Sequence, residues 1–570
     1  MSDILQWLQE HEPEWKLRQP RPEQNFVPRP LFGEEDAATE WQHDQNPQQI
    51  FAHIASYDEF RAHAVLFLFG RRGSGKTALL HMLTHDVNTG GRSAKHYSHA
   101  VLLKPVVADL LPILRGTLIA TLEDTDLLSL LRLAWHWLII SAAYIEIAQA
   151  APGERAPGSD LADTFHQAID SGRLFHETLA DYLLNELSLI LKATLEKDTS
   201  GPNQLGLTII DLRQRLGSIS TQPLESAIRA SFHRHKKPAL VLIEAEEVYR
   251  IDDYFASAFR SALIDSLLEI YNQFHRNGLL AKAAFPSEIY PFIAPANIEK
   301  IENKLIFILW GYRDLLILTA KRYYRILHGN LRHDKLEKEL RSLEDFKHSK
   351  RFLNTVLPAR ITSRNHIELD TFSYIVRHTQ KKPRQLIAIF NCILTMASDA
   401  DRHLGDLRDA DGLIRDAVHS RLDTLVLGAL DIYKGIFSGA PGLVKKAMTG
   451  MQCYFSASDL DKAITQTNEV RDPSVTREDV RQLLLQSGVI GLTRQAPVPI
   501  RRSESAASMM EALFEYQVKG RLVVTNNSIC VIHPMFYEEL EIKIDTRVLA
   551  YPKPTEEEER LLQQSYGSWR

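Results

Sequence analysis

The sequence predicts an α/β fold built around a mostly parallel sheet. Continuous apolar runs of strand length recur along the chain, and helical patterns separate them. The runs are Val65–Phe69, His99–Val107, Pro238–Ile243, Ala281–Phe285 and Lys304–Leu309. Runs of this kind are typical of buried strands, and strands that alternate with helices favour parallel pairing.

The chain has 570 residues, a length that corresponds to about three or four domains. Shifts in composition and pattern give their expected boundaries. The expected parts are an N-terminal arm (1–64), an α/β core (65–325) with a long helical insertion at about 108–235, a helical lid (326–420), a winged-helix-like module (421–550) and an acidic tail (551–570).

The C-terminal module is predicted from helices that are followed by a short hairpin. Helical patterns cover Ser458–Ile464 and Thr476–Gln486. The expected hairpin joins Leu513–Val518 to Ser528–Ile532 through a turn at Thr525–Asn527. This order of elements favours a winged helix, a module that binds DNA in some proteins and docks onto proteins in others.

Composition excludes several classes of protein. Hydrophobic residues make up 44% and charged residues 24%, which is the balance of an ordinary globular protein. The net charge of −5 argues against a protein that is basic over its whole surface. Only three cysteines are present, Cys392, Cys453 and Cys530, and they are far apart, so the sequence predicts neither a disulfide framework nor a zinc site.

The most apolar stretch, Leu127–Ala148, is predicted to be a buried helix. It is interrupted by Arg132, His136 and Glu146, whereas a membrane span needs about 20 mainly apolar residues. The N-terminal residues are polar and acidic and show no apolar signal segment. We therefore expect a cytoplasmic protein without a membrane partner.

The strongest motif in the sequence is a complete G-x-x-x-x-G-K-[ST] pattern, with an apolar strand before it and an amphipathic helix after it. Its residues are Gly70, Arg71, Arg72, Gly73, Ser74, Gly75, Lys76 and Thr77. Glycines let the backbone curl so that N–H groups point at phosphates, and the helix N-terminus adds positive charge. Lys76 is expected on the β- and γ-phosphates, and the Thr77 hydroxyl on Mg²⁺. The sequence thus predicts a P-loop NTPase core that binds ATP and Mg²⁺.

An acidic partner for the metal is expected at the end of the strand Pro238–Ile243. Glu244 takes the position where many P-loop enzymes have an aspartate, and Glu246 or Glu247 could polarise the attacking water. Glutamate is longer by one methylene, and a shift of about 1 Å can change catalysis strongly. The alternative is an acidic strand end that faces solvent.

Shorter segments resemble motifs of STAND- and KAP-type P-loop NTPases. Phe32–Ala37 resembles an F-G-x-x-x-A segment that helps to seat the nucleotide. Leu309–Leu315, followed by Arg322, is similar to a W-x-x-x-x-L…R segment, and Thr379–Ile387 to a T-x-x-x-P-R-x-[LI] motif of the lid. The resemblance covers about residues 30–400. It implies a bacterial ATPase of the STAND/KAP/AAA+-like assemblage, of the kind found in antiphage-defence islands.

The resemblance also implies roles for arginines. Arg384 corresponds to an arginine that faces the nucleotide as a sensor; the alternative is a solvated basic turn beside Lys381 and Lys382. Arg313 and Arg322 are candidates for a finger that acts on a neighbouring subunit, or for structural ion pairs.

Three hypotheses of function follow. The first is an ATPase switch that controls assembly, as a homo-oligomer or with an effector protein. The second is an ATP-dependent DNA-binding loader, motivated by basic residues at His233–Lys237 and Arg501–Arg502. The acids of the C-terminal module disfavour DNA, because they would repel phosphates. The third is a nucleotide-stabilised scaffold without turnover, motivated by Glu244.

Overall fold

The structure is a computed structural model. Its described residues are 30–43, 47–104, 124–156, 160–172, 179, 181–183, 185–186, 219–245, 254–293, 295–329, 331–363, 367–499, 508–519 and 521–553.

The described strands, in chain order, are β1 (Phe67–Gly70), β2 (Ala100–Leu103), β3 (Ala239–Glu244), β4 (Leu279–Pro286), β5 (Leu305–Phe307), β6 (Arg360–Thr362), β7 (Glu368–Asp370), β8 (Tyr454–Ser456), β9 (Ile490–Thr493), β10 (Val498–Pro499), β11 (Ser508–Ala512), β12 (Ile529–Ile532) and β13 (Val548–Pro552). The described α-helices are α1 (Ala37–His43), α2 (Ala55–Phe60), α3 (Lys76–Asn88), α4 (Asp124–Ala150), α5 (Asp160–Asp170), α6 (Gln222–His235), α7 (Tyr254–Phe274), α8 (Pro295–Ile301), α9 (Tyr312–His328), α10 (His333–Ser342), α11 (Phe346–Val356), α12 (Thr371–Arg377), α13 (Pro383–Asp399), α14 (Asp411–Asp431), α15 (Ala440–Met448), α16 (Ala457–Gln466) and α17 (Arg477–Gln486).

The chain divides into two compact units. The sheet unit comprises Ala55–Arg72 and Lys76–Ile308. The helical unit comprises Met1–Ile54, Gly73–Gly75 and Leu309–Arg570.

The sheet unit is built on a five-stranded sheet with the order β2-β3-β4-β1-β5. Every neighbouring pair in it is parallel, and β1, β3 and β4 are buried along their whole length. The predicted α/β class and parallel sheet are thus confirmed, and each strand of the sheet overlaps a predicted apolar run. Since parallel strands end at the same edge, the ends of β1, β3 and β4 lie side by side.

The described part of the predicted helical insertion, between β2 and β3, consists of the helices α4, α5 and α6. By length and composition, Leu127–Ala150 of α4 would suit a membrane span, and 72% of its apolar window is buried inside the structure. That burial is typical of a core helix. Its polar interruptions contact partners in this unit: Arg132 pairs with Asp265, and Asn88 Nδ2 lies 3.4 Å from the Glu146 carboxylate. Burial raises the pKa of Glu146 to about 7.

The helical unit contains α1 and the helices from α9 onwards, so the predicted lid region is indeed mainly helical. Its N-terminal segment is held by Phe32, which is buried and stacks on Phe390 of α13 with ring centroids 4.8 Å apart. Asn391 accepts a hydrogen bond from the Phe32 N–H at 2.7 Å and donates one to the Gly33 carbonyl at 2.9 Å.

The described residues between 440 and 532 include three α-helices, α15 to α17, and a sheet with the order β8-β12-β9. The predicted helices are confirmed as α16 and α17. The predicted hairpin is wrong in one strand: β12 pairs antiparallel with β9 and β8, whereas Glu515–Gln517 forms a 3-10 helix. Ring packing explains this, because Phe514 and Tyr516 both lie against the buried ring of His533.

The predicted tail begins too early. Tyr551 and Pro552 are the last residues of β13, which pairs in parallel with β11. The run Val548–Tyr551 is apolar and buried, which favours a strand over a solvated tail. The remainder of the predicted tail, from residue 554, lies outside the described residues.

Candidate nucleotide-binding site

The P-loop motif occupies the end of β1 and the start of α3. β1 ends at Gly70 and α3 begins at Lys76, so the glycine-rich residues form the turn between them. Gly73 and Gly75 have φ angles of +80° and +89°, a backbone conformation that other residues rarely adopt. A helix leaves its first N–H groups without intrahelical acceptors, so the turn leads into an anion-binding helix end.

Lys76 is held inside this loop. Its side chain is 2% exposed, and Nζ donates to the carbonyl oxygens of Gly70 at 2.9 Å and Arg71 at 3.3 Å. The ammonium group is therefore buried among the loop carbonyls. A buried cation at a helix N-terminus favours an anionic ligand, because a negative charge placed there offsets the free-energy cost of burying the positive charge.

Glu244 lies next to Thr77, as the sequence predicts. It is buried at the end of β3, and its Oε1 accepts a hydrogen bond from the Thr77 hydroxyl. The longer glutamate therefore reaches the threonine directly, and the alternative of an acid facing solvent is wrong. A hydroxyl and a carboxylate suit Mg²⁺, which is commonly bound by one or two protein oxygens together with substrate phosphates and water.

The two further acids predicted after β3, Glu246 and Glu247, lie outside the described residues. The residue that directly follows Glu244 is Ala245, whose N–H still donates to the Ala284 carbonyl of β4 at 2.9 Å. Among the described residues of β3 and its end, Glu244 therefore supplies the carboxylate.

Sequence reasoning missed a second acid at this edge. Glu288 follows β4 and is 5% exposed, and its Oε1 accepts a hydrogen bond of 3.1 Å from the N–H of Arg72. Its other oxygen, Oε2, is buried and has no hydrogen-bond partner within the described ranges. The two residues are 216 positions apart in sequence. A signal did exist: an acid just after a buried-strand run, as at Glu244.

Within the helical unit, one side chain and one backbone N–H donate hydrogen bonds to the turn Gly73–Gly75. The Trp310 indole donates to the Ser74 carbonyl at 2.7 Å. The backbone N–H of Arg384, just after Pro383 at the start of α13, donates to the Gly73 carbonyl at 3.3 Å. Two of the three segments quoted for the family resemblance, Leu309–Leu315 and Thr379–Ile387, thus contact the turn Gly73–Gly75.

The Arg384 side chain is 35% exposed and is directed at the N-terminal segment. Its Nε donates to the Glu35 carbonyl at 2.9 Å, and its guanidinium lies 3.8 Å from the Asp36 carboxylate. The structure thus places the predicted sensor arginine beside the P-loop turn and ties it to the segment that the resemblance assigns to nucleotide seating.

The other two arginines lie in different surroundings. Arg322 is 7% exposed and makes a bidentate pair with Glu40, with both N···O distances 2.7 Å. It also donates to the Phe32 carbonyl at 3.1 Å. Arg322 therefore forms a structural ion pair, which was one of its two predicted roles. The other role, a finger that acts on a neighbouring subunit, is contradicted, since a finger must be able to reach another subunit. Arg313 is exposed on α9.

Acidic side chains lie beside part of the basic run considered for DNA binding, and beside an arginine of the C-terminal module. In the C-terminal module, Arg481 of α17 pairs with Asp461 at 2.6 Å and with Glu478. In the basic run, Arg234 and His235 both pair with Glu154. Arg501 and Arg502 lie outside the described residues.

Across the ranges that the structure describes, no group of three or more His, Cys, Asp or Glu side chains could hold a metal ion. No protein-family model matches the chain, and no curated protein matches it in sequence.

Proposed function

We propose that this chain is a Mg²⁺-dependent ATPase of the STAND/KAP/AAA+-like assemblage, which uses ATP as a switch for assembly or for a partner effector protein. One observation carries the proposal: the buried Lys76 and the Thr77–Glu244 pair lie at the same edge of the sheet, where a glycine turn with positive φ angles leads into α3. Lysine, threonine and an acid in this arrangement suit a nucleoside triphosphate with its metal.

Each group has a definite task in this proposal. The N–H groups of the turn and Lys76 neutralise phosphate charge, which would otherwise repel an attacking oxygen. Thr77 and Glu244 hold Mg²⁺, which when bound neutralises charge that develops on the phosphate oxygens. Because Glu244 already reaches the Thr77 hydroxyl, the extra methylene is no argument for a scaffold without turnover.

Equilibrium binding of Mg-ATP, measured by titration calorimetry, tests the site. Lys76→Ala should weaken binding by about 10–100-fold, since hydrogen bonds to charged groups contribute about 1.5–3 kcal/mol. Lys95→Ala is the matched control, because Lys95 is an exposed lysine of the sheet unit outside the motif. Equal affinity in wild type and Lys76→Ala would refute the proposed site.

Size-exclusion chromatography with light scattering, with and without Mg-ATP, tests the switch. We expect a change in mass or hydrodynamic radius in wild type and none in Lys76→Ala, because a ligand shifts an equilibrium only when it binds the two states differently. Unchanged elution of an ATP-saturated wild type would argue against a switch and for a scaffold. DNA is not expected to bind, and salt-sensitive binding in the presence of ATP would restore the loader hypothesis.

A further inference from the structure

Glu288 is a buried acid that none of the roles above explains. The residue is 5% exposed, and among the described residues only one of its two carboxylate oxygens has a hydrogen-bond partner, the Arg72 N–H. Burying a carboxylate oxygen without a hydrogen bond is unfavourable, and such a group persists where a function requires it or where a ligand or water completes it.

The sheet order places this carboxylate beside the proposed ATP site. β4 lies between β1 and β3. Gly70 is in register with Pro286, and Glu244 with Ala284, so the chain beyond Pro286 runs past the P-loop on one side and the end of β3 on the other. Since Oε1 already contacts the loop, Oε2 of the same group lies next to the loop as well.

We propose that Glu288 is a catalytic residue of this site: Oε1 anchors the P-loop through Arg72, and Oε2 takes a proton from the water that attacks ATP. The inference rests on the proposed function. In this role both carboxylate oxygens of Glu288 have a partner. Glu288 also supplies a base at this edge of the sheet, where the residue after Glu244 is an alanine and cannot accept a proton.

The step balances as follows. The water oxygen forms a bond to the γ-phosphorus while the bond from that phosphorus to the β,γ-bridging oxygen breaks. The bridging oxygen leaves on ADP with the electron pair of the broken bond. Glu288 Oε2 accepts one proton of the water, and the resulting carboxylic acid later returns it to solvent. No other reactant is needed.

Glu288→Gln separates the two roles of the side chain. The amide oxygen can still accept from the Arg72 N–H, but the side chain can no longer take a proton. We expect the Kd for Mg-ATP to stay within about twofold of wild type while kcat falls by about 10²–10⁴-fold, the usual contribution of a general base. Glu269→Gln is the matched control, because Glu269 is exposed on α7.

Two further variants distinguish the loss of the base from damage to the loop or to the fold. Glu288→Asp retains a carboxylate and should turn over ATP faster than Glu288→Gln. Glu288→Ala also removes the acceptor for Arg72, so it should weaken ATP binding as well as turnover. Thermal denaturation of each variant reports whether it is folded.

The outcomes are distinct. Glu288→Gln with the wild-type kcat would overturn the role as a base, and so would a Glu288→Gln variant that loses ATP affinity in proportion to turnover. A wild type that binds ATP but releases no phosphate would also overturn it, while leaving the proposed ATP site intact. Failure of the ATP site itself is recognised separately, by equal binding to wild type and Lys76→Ala.

Discussion

Charged groups are buried at the carboxyl edge of the five-stranded sheet, whereas in the C-terminal module they are partly exposed to solvent. At the sheet edge, Lys76, Glu244 and Glu288 are buried within the sheet unit. In the C-terminal module, Arg481, Asp461 and Glu478 pair with each other near solvent. Burying a charge is costly, whereas exposed pairs contribute about 0–1 kcal/mol. The contrast supports the proposal that the buried charges at the sheet edge bind a ligand, a role that the exposed pairs of the module do not require.

The physical basis of this contrast, the difference between buried and exposed charges, can be tested on two ion pairs of the helical unit, one buried and one exposed. Arg322→Ala leaves Glu40 buried without its cation and should lower the free energy of unfolding by about 3–5 kcal/mol. Arg360→Ala, which breaks the exposed pair with Glu368, should cost at most about 1 kcal/mol. Denaturant titration measures both. Similar losses of unfolding free energy in the two variants would contradict the distinction between buried and exposed pairs.

The P-loop glycines offer a sharper test that links backbone strain to ligand binding. Gly73 and Gly90 both have positive φ, so alanine at either position should cost about 1–2 kcal/mol of stability. A Cβ at Gly73 would also lie 3.1 Å from Arg384 Cβ, whereas a Cβ at Gly90 meets nothing within 4 Å. We therefore expect Gly73→Ala to weaken Mg-ATP binding and Gly90→Ala to leave it unchanged. Calorimetry that shows equal affinities would contradict the account.

A further buried charge of the sheet unit, Lys282, should make the stability of the protein depend on pH. Lys282 is fully buried in β4 and donates to the carbonyls of Phe60 and Ala62, and no carboxylate of the described residues contacts it. Burial lowers the pKa of Lys282 well below its ordinary value. Between this lowered pKa and the unfolded value of about 10.4, the unfolded state binds more protons, so stability should rise with pH.

The measurement is the free energy of unfolding from pH 7.5 to 9.5 in wild type and Lys282→Met. The slope of wild type should exceed that of the variant by up to about 1.4 kcal/mol per pH unit. The difference between the two proteins is compared because buried Tyr and Cys side chains also titrate in alkali. Parallel curves would show that Lys282 keeps its proton when buried.

The smallest effect is expected on the surface of the C-terminal module. Arg481→Ala should change the free energy of unfolding by at most about 1 kcal/mol, because its pairs are partly exposed. We expect wild type to bind DNA weakly and the variant to bind it equally weakly, since acids already pair with this arginine. Fluorescence anisotropy with a labelled duplex checks the second point. A clear loss of DNA binding would place a nucleic-acid surface on α17.

Local signals in the sequence are enough to predict much of the sheet and part of the candidate site. Buried-strand runs predicted the strands of the parallel sheet, and the glycine–lysine motif predicted the turn before α3. Glu244 was predicted because it directly follows a strand in the sequence.

Other features depend on the order of strands, which no local pattern encodes. Glu288 meets Arg72 only because β4 lies beside β1. Lys282 was likewise hidden inside an apolar run, where its carbonyl acceptors come from a distant helix end. The wrong hairpin strand at Leu513–Val518 has a related cause: its aromatic residues fit the pattern of a strand but pack against His533.

The most direct test of the central claim is phosphate release from Mg-ATP by wild type and Lys76→Ala, with and without DNA. The account predicts turnover by wild type, a loss of about 10²-fold or more in the variant, and no effect of DNA. Equal rates in the two proteins, or no release by an ATP-saturated wild type, would contradict the proposal that the buried charges at the sheet edge form an ATPase site.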